Sequence, residues 1–130
     1  MILIGHRFIP SDNFYHVINI DAITKTPPSS CIYIEFSEDN LDIIKHAQKN
    51  NIAFALSVSS ITEIIYASSL LASYNIIDTS LAIDAQKIAN EYLYDAKVLV
   101  KINNDEEIQE FAELGIDGVI FSNSIIKITS

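Results

Sequence analysis

The chain has 130 residues, 49% of them apolar, and a formal charge of -9, which suits one α/β-sized domain and falls well short of the roughly 250 residues usual for a closed eight-stranded barrel. The acidic balance makes nucleic acid and anionic membranes poor partners, no apolar run approaches the ~18 residues of a membrane span, and MILIGHRF lacks the basic end and long apolar core of an export signal, so a soluble, cytoplasmic protein is expected. Cys31 is the only cysteine, which excludes an internal disulfide and a cysteine-based metal cluster.

In chain order, Ile2 to Ile4 starts as an apolar strand and Tyr15 to Ile23 alternates like another. The connectors Phe8 to Asn13 and Thr24 to Ser30 are too short to hold a crossover helix, so antiparallel or irregular pairing is expected over the first thirty residues. Strand-length apolar runs then alternate with helix-length segments. Ile32 to Phe36, Ile52 to Val58, Asn75 to Asp78, Ala96 to Ile102 and Gly118 to Phe121 read as strands; Asn40 to Lys49, Ile61 to Ser73, Leu81 to Tyr94 and Asp105 to Leu114 read as helices. Ser60 with Glu63, and Asn104 with Glu107, have capping-box spacing, and Gly115 sits where a left-handed residue ends a helix.

Continuous apolar strands are the mark of a parallel sheet covered on both faces. The expected fold is therefore a single domain, residues 1–130, with a mostly parallel sheet of about five to six strands and helices on both faces, flavodoxin-like or half-barrel-like. From Ile61 to Tyr74 the only formal charge is Glu63, and Ile61, Ile65, Tyr66, Leu70 and Tyr74 lie on a helix that is apolar nearly all round. Such a helix must be covered on more than one side, by neighbours in the monomer or by a second copy in a homodimer.

Chemistry in an open parallel sheet gathers at the carboxyl ends of its strands. Ser59, Thr79, Lys101, Asn103 and Ser122 fall there, as groups suited to a small anion, although hydroxyls and amides at helix starts also serve as plain caps. His6 directly after the first strand has acid or base chemistry, and Arg7 can clamp a phosphate. With only Gly5, Gly115 and Gly118, no glycine-rich phosphate loop exists, and no cofactor is expected.

Ile4, Gly5, His6 and Arg7 resemble the start of the glycerophosphodiester phosphodiesterase family, whose first barrel strand ends in His-Arg-Gly. Ile34, Glu35 and Phe36 are similar to its Glu-x-Asp strand, and Lys97 to Phe121 to its last two strands. The resemblance implies a metal-dependent barrel that hydrolyses phosphodiesters, with His6 and Arg7 catalytic and Glu35 a metal ligand. Phe8 stands in place of the motif glycine, Ser37 in place of the second carboxylate, and no second catalytic histidine follows. The leading functional expectation is accordingly a non-catalytic, self-associating domain that binds a small anion or a protein partner at the strand ends. A degenerate phosphodiesterase-like hydrolase using His6, Arg7 and Glu35 is the alternative.

Overall fold

A computed structural model describes residues 1–128. Its strands are β1 (Ile2–Ile4), β2 (Phe14–His16), β3 (Cys31–Glu35), β4 (Phe54–Ser57), β5 (Tyr74–Ile77), β6 (Lys97–Ile102), β7 (Gly118–Phe121) and β8 (Ile125–Lys127). Its helices are α1 (Ile20–Ile23), α2 (Leu41–Lys49), α3 (Ile61–Ser69), α4 (Ala82–Glu91) and α5 (Glu107–Glu113). No helix among the described residues is long and apolar enough to cross a membrane.

The last four helices end in the same way. Asn51, Leu71, Leu93 and Gly115 all adopt positive φ. In each case the next amide reaches back five residues: Ile52 to Ala47, Ala72 to Ala67, Tyr94 to Ala89 and Ile116 to Phe111. This is the Schellman ending, in which a left-handed residue satisfies the last carbonyls and turns the chain at once into the next strand. The βα units therefore recur every 20–22 residues or so, a true internal repeat of unusually short period.

All seven ladders are parallel, in the order β1-β7-β6-β5-β4-β3-β2-β8. The expected parallel strands from Ile32 to Phe121 are present, but the sheet has eight strands, where five or six were expected. The early segment is also parallel, contrary to expectation: β1 pairs with β7, and β2 with β3 and β8. Strands of three residues span only about 10 Å, so residues 5–13 carry the chain back without a helix. Tyr15 to Ile23 is not one strand either. It contains the end of β2 and α1, which is capped by the Asn19 side chain accepting from the Ala22 amide at 2.8 Å.

The sheet is curled. In a flat sheet β2 and β5 would lie roughly 14 Å apart, yet the rings of Phe14 and Tyr74 are 5.1 Å apart. Two apolar clusters separate the faces. The inner one draws Ile4, Phe14, Tyr33, Ala55, Ile76, Leu99 and Ile120 from seven strands, with Ile125 of the eighth packed on it, and contains no helix residue. The outer one holds the buried side chains of all five helices, among them Ala22, Ile44, Ile64, Ala85 and Phe111. Helices thus cover the convex face alone, and the concave face is covered by its own curvature. Uninterrupted apolar strands fit this arrangement as well as they fit two helix layers.

The register shows how far the curl goes. Ile125 is level with Phe14 and Cys31, Ile32 with Phe54, Ala55 with Tyr74 and Lys97, and Leu99 with Gly118 and Ile2. A Cβ on Gly5, which follows β1, would stand 2.3 Å from Oγ of Ser124, which precedes β8. The circuit therefore climbs by about eight residues, the stagger of an eight-stranded α/β barrel. Strand β1 ends below the level at which β8 begins, and no ladder joins them among the described residues.

The apolar stretch from Ile61 to Tyr74 divides. Ile64 and Ala67 are buried, Ile61 and Leu70 pack on the outer cluster, and Tyr74 belongs to β5 and the inner face. Tyr74 is therefore not on an interface helix, and the surplus apolar surface of the stretch reduces to Ile65 and Tyr66 on α3 and Leu71 just after it, 40%, 52% and 76% exposed.

Candidate binding site at the carboxyl ends of the strands

Side chains alternate along a strand, so the residues that follow the inner cluster upward, two at a time, are set by sequence. Above Phe14 comes His16, above Tyr33 comes Glu35, above Ala55 comes Ser57, above Leu99 comes Lys101, and above Ile125 comes Lys127. The interior changes within one step from a packed apolar layer to a charged and polar one. Tyr33, Ala55, Ile76, Leu99 and Ile120, each no more than 4% exposed, form its floor.

Glu35, Ser57, Ser59, Glu63, Asp78 and Lys101 line a pocket of about 220 Å³ at this end. Glu63 is already engaged, its Oε1 accepting from the Ser59 amide at 2.9 Å and from the Ser59 hydroxyl at 3.2 Å, while Ser60 caps α3 by accepting from the Glu63 amide at 3.1 Å. The expected capping box thus forms with Ser59 taking one half of it. Lys101 and Glu35 have no ion pair within 4 Å among the described residues, where the ion pairs are those of Asp105.

His16 lies at the edge of this layer, edge-on to Tyr33 with ring centroids 4.9 Å apart. Burial pushes its pKa down from the ordinary value; Glu35 pulls it back up, and Lys127 and Lys101 lower it further. The shift favours the neutral imidazole, and Glu35, Lys101 and Lys127 are close enough for their charges to reach it.

Of the residues singled out from sequence, the structure brings Glu35, Ser59 and Lys101 into one pocket. Thr79 is exposed in the turn after β5 and does not line the pocket. Asn103 and Asn104 give their amides to Glu107 Oε2, both at 3.2 Å, so Asn104 does not cap α5 with its side chain. The Ser122 hydroxyl faces the Ile102 carbonyl at 3.5 Å. Thr79, Asn103 and Ser122 do not line the pocket.

His6 and Arg7 lie apart from Glu35. Both meet Asp105, at 3.2 and 3.0 Å, and the Phe8 amide donates to His6 Nδ1 at 3.1 Å. The Arg7 guanidinium sits 4.5 Å from the Phe8 ring centre, and the His6 side chain is only 8% exposed. These contacts occupy both imidazole nitrogens and tie the loop after β1 to the start of α5. Among the described residues no group of three or more His, Cys, Asp or Glu side chains gathers closely enough to hold a metal ion. The donor set therefore does not fit the metal shell that the phosphodiesterase resemblance implies for Glu35.

Comparison of the sequence with protein-family models and with curated proteins finds no match. Sequence reading missed His16 and Lys127. Both were legible in principle as the inward partners of Phe14 and Ile125, once those strands were known to belong to the same curled sheet.

Proposed function

We propose that this chain is a non-catalytic binding domain whose site is the carboxyl-end pocket, and that its ligand is a small organic anion that also carries a hydrogen-bond donor. One observation carries the reading: a polar layer in which Lys101 and Glu35 face the same space without pairing within 4 Å. An anionic group of the ligand bonds to Lys101, with Lys127 adding to the local positive field, and a hydroxyl or ammonium group donates to Glu35. The -9 charge of the whole chain opposes anions at long range, so affinity depends on these short contacts. The volume of about 220 Å³ limits the ligand to a handful of heavy atoms.

The metal-dependent hydrolase alternative has less support, because His6 and Arg7 are bound to Asp105 and do not share a pocket with Glu35. Self-association through α3 also loses much of its motive, since the exposed side chains of Ile65, Tyr66 and Leu71 fall short of the roughly 800 Å² per partner of a standard interface.

The test is an NMR titration with lactate, serine and inorganic phosphate. Lactate or serine at millimolar concentration is expected to shift resonances of His16, Ser57 and Lys101, and Lys101→Met to weaken binding at least tenfold, the loss of one charge-assisted hydrogen bond. Phosphate keeps a P–OH donor at neutral pH but carries up to two negative charges beside Glu35 in a chain of net charge -9, and is expected to bind less well. Absence of shifts at this layer, or binding that Lys101→Met leaves unchanged, would overturn the reading.

A further inference from the structure

The opposite end of the curled sheet is hollow. Strand β1 begins level with Leu99, two steps above the Tyr74 and Lys97 pair and higher still than Phe14 and Cys31. Strand β8 lies beyond the other end of β1, so the wall beneath Ile2 is missing. Ile2, Ile4, Phe14, Cys31, Ala53 and Tyr74 line the space that results, a cavity of about 380 Å³ open to one side. It is separate from the carboxyl-end pocket, because the packed layer of Tyr33, Ala55, Ile76, Leu99 and Ile120 lies between them.

We propose that this cavity is a binding site for a neutral, mainly apolar molecule of one or two rings that accepts a hydrogen bond from Tyr74. The walls are the lower inner face of the sheet, with Ile2, Ile4, Phe14 and Ala53 offering hydrocarbon and aromatic surface. The volume lies in the range of ordinary small-molecule pockets. Cys31 turns its thiol to the Ile32 carbonyl, with Sγ 3.7 Å from the oxygen; Tyr74 brings a phenol hydroxyl to the hydrocarbon walls, and Ser11, Ser29 and Ser73 complete the lining with Asp12.

The site selects against charge in two ways. Removal from water pushes the Cys31 thiol up to about 12 and raises the Tyr74 phenol above its ordinary value, so this interior disfavours ions as it disfavours thiolate and phenolate. Asp12 stands on the rim and repels anions before they enter. The inference is independent of the anion site proposed above, which uses other residues at the other end of the sheet.

The experiment compares 2-naphthol with 2-naphthoate, two molecules of similar shape that differ in charge, using methyl NMR of Ile2 and Ile4. Naphthol is expected to shift both methyl signals with a submillimolar Kd, and naphthoate to bind at least tenfold more weakly. Ala53→Leu, which fills the cavity, should weaken naphthol at least tenfold; Tyr74→Phe, which keeps the ring and removes the hydroxyl, should weaken it several-fold. Lack of saturable shifts, equal binding of the two probes, or retention of affinity in Ala53→Leu would each overturn the proposal. Should Ala53→Leu not fold, unchanged affinity in Tyr74→Phe would overturn it as well. Because all signals followed lie at the amino-terminal end, failure here leaves the lactate and serine titration at His16 and Lys101 to be judged by itself.

Discussion

Asp105 is where two residues that looked catalytic in the sequence are put to structural use. The hydrogen bond from Arg7, and then that from His6, holds its carboxyl below the ordinary 3.8. A carboxylate whose pKa is lower in the folded chain than in the unfolded one adds stability above the unfolded value and loses it as pH falls through the folded value. Asp105→Asn is accordingly expected to melt below wild type at neutral pH, with the gap shrinking as pH falls below 3.8. Thermal unfolding of both proteins over that range checks it, and a gap that does not change with pH would mean that the contact works by shape alone. The residues His6 and Arg7 were legible as a polar pair after a strand. Their direction was not, because it depends on Asp105, almost a hundred positions further along, and on the turn that brings the Phe8 amide onto His6.

At the scale of elements, the same helix ending is written four times with different residues. Leu71 and Leu93 hold φ of 69° and 52° with 76% and 85% of their surface exposed, a conformation that costs an L-residue roughly 1–2 kcal/mol and recovers little by burial. Leu71→Gly and Leu93→Gly should each raise stability by about 0.5–1 kcal/mol in urea unfolding, the relief of strain exceeding the added freedom of the unfolded chain. Gly115→Ala should lower it by about 1 kcal/mol; a Cβ there would touch nothing within 4 Å, so the loss reports φ alone. Were both leucine variants less stable, the exposed side chains would have to be making contacts in solution. This ending also explains which boundaries could be read in advance. The unit that stops at Gly115 was legible, and β7 begins and ends where expected, at Gly118 and Phe121. The helices expected to run to Ser73 and Tyr94 stop at Ser69 and Glu91, because their stop signals are leucines, which composition marks as helix formers.

For the whole molecule, the length that argued against a closed barrel agrees with a sheet left open between β1 and β8, but it did not limit the strands to five or six. A common α/β barrel devotes some thirty residues to each βα step, whereas here the four Schellman turns follow one another at three intervals of about 20–22, and β1, β2 and β8 are three residues each. Eight strands therefore fit in 130 residues, at the expense of the seam. In the β1 to β7 ladder Ile2 donates to the Asp117 carbonyl at 2.9 Å. Parallel strands bond through alternate residues, so Ile4 also faces β7 while the Leu3 amide points the other way, toward the seam that β8 does not reach. Native-state hydrogen exchange should then show Ile4 protected and Leu3 exchanging close to the unprotected rate, with the amides of β5 and β6 in the middle of the sheet opening last. Leu3 protected to the level of Val100 would mean that β1 and β8 are joined by hydrogen bonds in solution. That result would close the barrel at its seam.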